Sequence, residues 1–397
     1  MSLKLARRLG AVKPSPTLGM AAEAAALRAQ GKDIADLSAG EPDFDSPEHV
    51  KAAAREALAK GQTKYTAVGG TDALKDAIRL KLERDNGLTY ARTEVMASCG
   101  GKHALYNAFQ ALLDEGDEVV LPAPYWVSYP DMLALCGAVP KVVETTPERG
   151  FKMTAEEFDR ACGPRTVGVI LNSPSNPTGA VYHDDELRAI GDVALRRQLV
   201  VFSDDIYEKL CGFPITQIGA LVPALRPRLV IVNAVSKTYA MTGWRIGYTA
   251  GPPELIKAMT TLQSQTTSNP SSIAQAAAAA ALTGPQEGVV AMAREFQARR
   301  DLVIGRLREI PGVKTTVPDG AFYVFPDVGA YFGRQGPDGP VRTANDLATY
   351  LLRHAGVAVV PGEGFGAPNH IRLSYAAHRD VLAESLLRLG RGLGALR

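Results

Sequence analysis

Cysteine is scarce in this sequence, and what there is lies scattered. Cys99, Cys136, Cys162 and Cys211 form no C-x-x-C pair and no cluster with histidine. A metal site and a disulfide framework are therefore not expected, whereas reduced cysteines in an intracellular protein are. No apolar run approaches the ~20 residues needed to span a bilayer. The N-terminal MSLKLARRLGAVKPSP is basic but lacks the apolar centre of a signal peptide, so the sequence predicts a cytoplasmic protein. An excess of one charge is also missing. Lys and Arg number 44 and Asp and Glu 42, spread without blocks, for a net charge of +2. Aromatic residues make up 7% and do not interleave with basic ones, which argues against nucleic acid or a membrane surface as partner. There is no internal repeat, no Walker A or G-x-G-x-x-G pattern, and no low-complexity tract apart from one Ala-rich helix.

What is present is an ordinary soluble composition, 46% hydrophobic over 397 residues, enough for a large core and two domains. Residues 1–18 read as a basic arm, extended at Lys13-Pro14-Ser15-Pro16-Thr17 because residues before proline avoid the helical region. Met20 to Gln30 reads as a helix, Ile34 to Leu37 as a short strand. A further helix is predicted over Pro47–Lys60, with Ser46 as its N-cap, and another over Thr71–Asn86. From Val95 onward short apolar strands alternate with helices. Strands are predicted at 95–98, 118–121, 141–144, 167–171, 200–202 and 229–232. This rhythm predicts an α/β fold with a mostly parallel sheet, helices on both faces and ligands beyond the carboxyl ends of the strands. After a long helix at about 285–308, separated strands and two helices predict a smaller α+β unit. The division expected is 1–45 (arm and part of the small domain), 46–284 (large domain) and 285–397 (small domain).

Chemistry-bearing residues fall at those strand ends. NAVSKTYAMTGWRIG puts Lys237 at the mouth of a buried strand, where desolvation disfavours the ammonium and leaves an amine able to capture an aldehyde. Arg245 offers a planar donor fork for a phosphate. An aldehyde-capturing lysine and a phosphate-holding arginine match the needs of pyridoxal 5′-phosphate. Gly100-Gly101-Lys102 opens a helix directly after a strand, a place where backbone N–H groups can reach a phosphate; an ordinary tight turn looks the same. NSPSNPTG holds Asn176 between prolines, either as an aimed side chain or as a plain turn. In FSDDIY, Asp204 is either a helix N-cap or a partner for a protonated ring nitrogen, with Tyr207 three residues on. Arg372, in HIRLS, suits a substrate carboxylate or a solvated edge strand.

Taken together, SAGEPDFDSP, KYT, GGKHAL, PYWVSYP, NSPSNPTG, SDDIYE, SKTYAMTGWRIGY, PDGAFYVF and IRLSYA resemble, in order and from about residue 13 to 390, the fold type I pyridoxal-phosphate enzymes and within them the class I aminotransferases. The resemblance implies that Lys237 binds the cofactor's aldehyde and moves the substrate proton. It implies that Asp204 pairs with the pyridine nitrogen, that Asn176 and Tyr207 hydrogen-bond the ring oxygen, and that Trp126 stacks on the ring. Gly100, Gly101 and Arg245 would hold the phosphate, joined by Tyr65 of a neighbouring subunit, which implies a homodimer. Arg372 would clamp the substrate carboxylate, assisted by the Gly40 N–H. Where some relatives carry a phosphate-binding Ser three residues before the lysine, this chain has Ala234. Ser236 or Thr238 would have to replace that hydrogen bond, so slightly looser cofactor binding is expected.

The GGK segment is similar to that of bacterial aspartate aminotransferases, whose lysine meets the distal carboxylate of the substrate; Lys102 matches it. A cation in the first turn of a helix is repelled by the dipole, which fits an anionic visitor. Relatives that aminate prephenate add a lysine and a threonine in the N-terminal arm, matched by Lys13 and Thr17. The resemblance thus implies transfer between L-aspartate and 2-oxoglutarate, with prephenate amination as a second activity. A β-lyase or synthase on the same fold is disfavoured by the two carboxylate-binding cations. A transcription regulator would need an added helix-turn-helix domain, for which these motifs leave no stretch.

Overall fold

The computed structural model describes residues 3–14 and 16–397. At its centre, among the described residues, is a seven-stranded sheet. Its strands are β1 (Val95–Ser98), β2 (Glu118–Ala123), β3 (Val139–Glu144), β4 (Thr166–Asn172), β5 (Val200–Asp204), β6 (Leu229–Ala234) and β7 (Gly247–Ala250), in spatial order β1-β7-β6-β5-β4-β2-β3. All neighbours are parallel except β7, which runs antiparallel to both β1 and β6. That seventh strand has no counterpart in the sequence reading, which ended the sheet near Lys237.

Successive side chains of a strand point to opposite faces, and a parallel sheet covered on both sides must make both apolar. Ile170, Phe202, Val230 and Val232 pack on one face, with helices α4 (Gly101–Leu112) and α5 (Ser128–Leu135). Val169, Leu171, Val201, Leu229 and Ile231 face the other way, towards α2 (Glu48–Ala59), α3 (Asp72–Asn86) and the Ala-rich helix Ser272–Thr283. Small alanines let that last helix sit close to both α2 and α3.

A second apolar cluster gathers chain from both ends: Met20, Ala24, Ile34 and Leu37 with Phe296, Ile304, Phe322, Val357, Leu373 and Leu389. Its sheet is three-stranded and antiparallel, β8 (Tyr323–Val324), β9 (Val360–Pro361) and β10 (Ile371–Ser374), with β10 in the middle. The helix Glu287–Arg308 joins the two clusters: Val289 packs in the large one, Met292 to Leu307 in the smaller.

Two local expectations are corrected, and one helix is added. The arm is not extended throughout: a short 3-10 turn covers Arg7–Ala11, and a helix α1 begins at Pro16 and runs to Ala29, so Thr17 lies in its first turn. Proline suits the first turn of a helix because its missing N–H has no partner there. Ser15 lies outside the described residues. Ser46 does not cap α2; its hydroxyl donates to the Ala240 carbonyl and accepts from the Trp244 indole, so the residue ties the α2 entrance to the Lys237 loop instead. The helix Pro253–Thr266 was not foreseen, and it covers β1 on the α4 side.

Candidate active site

The carboxyl ends of β4, β5 and β6 and the start of α4 face the middle strand of the smaller sheet across a cavity of about 220 Å³. Lys237 enters it from Val235–Thr238, a single turn after the fully buried β6. Its ammonium donates to the Gly40 carbonyl. Burial is the main reason its pKa falls to about 8, with Arg372 and Arg245 adding repulsion and Glu41 opposing.

Asp204, the last residue of β5, is buried, and burial raises its pKa to about 6. The Tyr129 hydroxyl donates to its Oδ2 at 2.7 Å, and the Ile206 N–H reaches Oδ1 at 3.4 Å. No cation is paired with it among the described residues. Asn176 is steadied by its own N–H to Asn172 Oδ1, 2.8 Å, and its Oδ1 accepts from Arg372 at 3.1 Å. Tyr207 is buried with its hydroxyl 3.1 Å from that of Tyr323.

Arg372 comes from the smaller sheet, where only 2% of it is exposed. One guanidinium nitrogen donates to the Ser38 carbonyl at 2.9 Å, and the Tyr323 and Phe365 rings flank the group. Its Nε is buried with no partner, and burial lowers its pKa. A buried guanidinium with no carboxylate beside it is costly unless an anion arrives.

Lys102 leaves the first turn of α4 with Nζ 5.0 Å above the Trp126 ring; desolvation and Arg245 lower its pKa against the pull of Asp131.

The start of α4 is built for close approach. Gly100 has φ +94°, and a Cβ there would lie 2.4 Å from an Arg245 guanidinium nitrogen. A Cβ on Gly247 would lie 2.4 Å from both Gly100 C and Gly101 N. The first-turn N–H groups of α4 have no intrahelical acceptor. Arg245 itself adopts φ +55°, uncommon for a non-glycine residue, and is braced by a 2.7 Å bond to the Thr242 carbonyl. These features fit pyridoxal phosphate: a partly neutral lysine, an unpaired carboxylate for a ring nitrogen, and an N–H corner with an arginine for a phosphate. The Ala234 methyl sits 3.5 Å from where a Gly101 Cβ would be and offers no donor.

Of the residues singled out from sequence, Gly40, Gly101, Lys102, Trp126, Asn176, Asp204, Tyr207, Lys237, Arg372 and Thr17 line one cavity. Gly100 and Arg245 do not line it; they stand against each other, and Arg245 lines a second hollow with Cys99 and Trp244. Ser236 is buried and does not line it. Tyr65 stands apart, 90% exposed. Lys13 is exposed outside the wall, tied to α5 by its backbone N–H, 3.3 Å from Asp131 Oδ1. The sequence reading missed Tyr129 and Tyr323. Tyr129 follows Trp126 by three residues, a spacing that a helix start would bring onto one side; Tyr323 lies in FYVF with nothing to mark its partner.

The family described as aminotransferase class I and II matches residues 32–388. The aspartate aminotransferase of Geobacillus stearothermophilus is 49% identical over 395 residues, 99% of this chain and 100% of the relative. The aspartate/prephenate aminotransferase of Cereibacter sphaeroides is 50% identical over 389 residues, 97% of each. Among solved structures, that of aspartate aminotransferase from Rhizobium meliloti superposes with a TM-score of 0.96 at 46% identity, covering 100% of both chains. Aspartate aminotransferase from Thermus thermophilus with maleate superposes at 0.92 and 45% identity, over 98% of this chain and 100% of that one. With the lysine, the carboxylate and the glycine corner meeting in one cavity, this agreement along nearly the whole sequence means that the chain belongs to the class I and II aminotransferases, which depend on pyridoxal 5′-phosphate.

Proposed function

We propose that this enzyme moves the amino group of L-aspartate to 2-oxoglutarate, giving oxaloacetate and L-glutamate. The observation that carries this reading is the pair of cations in one cavity wall, Arg372 and Lys102, neither in an ion pair among the described residues. Two cations awaiting anions suit a substrate with two carboxylates. Maleate, held by the Thermus relative, is such a dicarboxylate.

When bound, the cofactor supplies an electron sink that makes the substrate's α-proton removable. Arg372 binds the α-carboxylate through its guanidinium, with the Gly40 N–H assisting. Lys102 meets the distal carboxylate. Lys237, with its pKa near 8, is neutral often enough at neutral pH to accept the α-proton and return it on the other side of the exchange. Asp204 holds the pyridine nitrogen protonated. Asn176 and Tyr207 serve the ring oxygen, and Trp126 forms the flat wall. Gly100, Gly101 and Arg245 hold the phosphate, with Ser236 or Thr238 in place of the hydroxyl that Ala234 lacks and Tyr65 reaching in from the second subunit of a homodimer.

Two broader readings accompany this one. The division at 45/46 and 284/285 is supported by the apolar cluster that residues 20–37 and 292–396 share with Tyr207 and Leu210. No helix among the described residues is long and apolar enough to cross a membrane, which is in keeping with a cytoplasmic enzyme.

Amination of prephenate is the second activity. Thr17 in the cavity wall favours it, as do relatives bearing both names. Lys13 would join when the arm folds over the substrate.

The test is Lys237→Ala. The variant should lose the yellow absorbance of the lysine-bound cofactor together with all amino transfer. Retention of that absorbance would overturn the assignment.

A further inference from the structure

Asp204 carries its charge in a poor place. It is buried, its backbone neighbour Asp205 is a second buried carboxyl, and Tyr207 and Tyr129 are the other titratable groups beside it. Among the described residues no guanidinium or ammonium is paired with it. A carboxyl in such surroundings drifts towards its neutral form, and a neutral carboxyl cannot keep a pyridine nitrogen protonated. Two donors work against that drift, and they are unequal. The Ile206 N–H is 3.4 Å from Oδ1, a long bond. The Tyr129 hydroxyl is 2.7 Å from Oδ2, within the range of strong O–H···O⁻ bonds.

Tyr129 is itself firmly set. Only 1% of it is exposed, its N–H caps back to the Trp126 carbonyl at 3.0 Å, and its ring meets the Trp126 ring edge-on at 5.2 Å. A phenol is a suitable donor here, because burial and Asp204 itself push its own ionisation far above the working range, so the proton stays on the tyrosine.

We propose that Tyr129 is a positioning residue for the cofactor's pyridine nitrogen: through its hydrogen bond it keeps Asp204 ionised and fixes the plane of the carboxylate. This rests on the reading of Asp204 as the partner of that nitrogen. It links two parts of the site that looked separate in sequence. The PYWVSYP segment then supplies the ring's stacking wall through Trp126 and, one helical turn on, the support of the ring's electrostatic partner.

The test uses holoenzyme reconstituted with cofactor labelled with ¹⁵N in the ring. Nitrogen chemical shift, cofactor dissociation constant and the kcat and KM for aspartate are measured for wild type, Tyr129→Phe, Asp204→Asn and the double variant. Phenylalanine keeps the ring packing and removes only the hydroxyl. The wild type should show a protonated nitrogen, and Tyr129→Phe a shift towards the neutral form. That variant's kcat should fall about 10- to 100-fold, the worth of one hydrogen bond to a charged group, with KM within a few-fold. In the Asp204→Asn background, Tyr129→Phe should then change little. An unchanged nitrogen shift in Tyr129→Phe would overturn the proposal, as would an equal loss in both backgrounds. A neutral nitrogen already in the wild type would remove the Asp204 reading and this inference with it.

Discussion

Replacing Lys237 by methionine in the cofactor-free protein is expected to stabilise it at neutral pH and destabilise it in strong base. The folded protein holds this ammonium at a pKa of about 8 against an ordinary 10.5, chiefly through burial. At ~1.4 kcal/mol per pH unit, that gap is about 3 kcal/mol of cost carried by the folded state wherever the lysine is charged. The sign follows from proton counting. Below pH 8 both states bind the proton and the full cost is present. Between pH 8 and 10.5 the unfolded chain binds more protons than the folded one, so wild-type stability rises. Above 10.5 the lysine is neutral in both states and the cost is gone. Methionine never bears the cost, but it forfeits the hydrogen bond to the Gly40 carbonyl, worth about 1 kcal/mol. The net expectation is about 2 kcal/mol in favour of Lys237→Met below pH 8 and about 1 kcal/mol against it above 10.5. For a chain of 397 residues, the neutral-pH advantage corresponds to a melting temperature higher by roughly 2–3 °C. Thermal or urea unfolding of both apo-proteins across pH 6.5 to 10.5 gives the result. A crossing of the two stability curves between pH 8 and 10.5 is predicted; wild type more stable throughout, or a gap that does not depend on pH, would refute the reasoning.

Three further substitutions bear on the cavity wall. Gly247→Ala puts a methyl 2.4 Å from the Gly100–Gly101 peptide, which is backbone and cannot step aside. It should destabilise the fold by about 1–3 kcal/mol and loosen the cofactor, read by unfolding and by equilibrium dialysis. Arg372→Lys keeps the charge but loses the planar fork, so kcat/KM for aspartate should drop about 100-fold while cofactor retention stays as in wild type. Lys102→Ala should lower kcat/KM for aspartate about 10- to 100-fold and leave the slow reaction with alanine unaltered, as steady-state assays on the two substrates would reveal.

Much of the site could be read from the chain because its residues sit where apolar runs stop. Asp204 ends β5, Asn176 follows β4, and Lys237 lies one turn beyond β6, so each strand announces its functional residue. Tyr129 and Tyr323 carried no such mark. Their value comes from what tertiary packing sets opposite them, Asp204 and Tyr207, which no local pattern encodes. Strand β7 escaped for a related reason: GYTA is short and polar-looking, and it is buried only because β1 and β6 close on both sides of it. The helix Pro253–Thr266 ends in a run rich in Thr and Ser, residues of middling or low helix preference. It forms because Leu255, Ile256 and Met259 find an apolar surface. Ser46 shows the opposite failure, a good capping residue whose hydroxyl was claimed by Trp244 and Ala240 instead.

The central claim is that two cations select a substrate with two carboxylates at a lysine-bound cofactor. It is tested most directly by mixing the pyridoxal form of the enzyme with L-aspartate, L-glutamate, L-arogenate, L-alanine and L-phenylalanine in turn. Conversion to the pyridoxamine form is followed by absorbance. Fast conversion by the acidic substrates and little by alanine or phenylalanine is the predicted result, with arogenate against aspartate deciding the second activity. Faster conversion by alanine or phenylalanine would contradict it and remove Lys102 from the distal carboxylate.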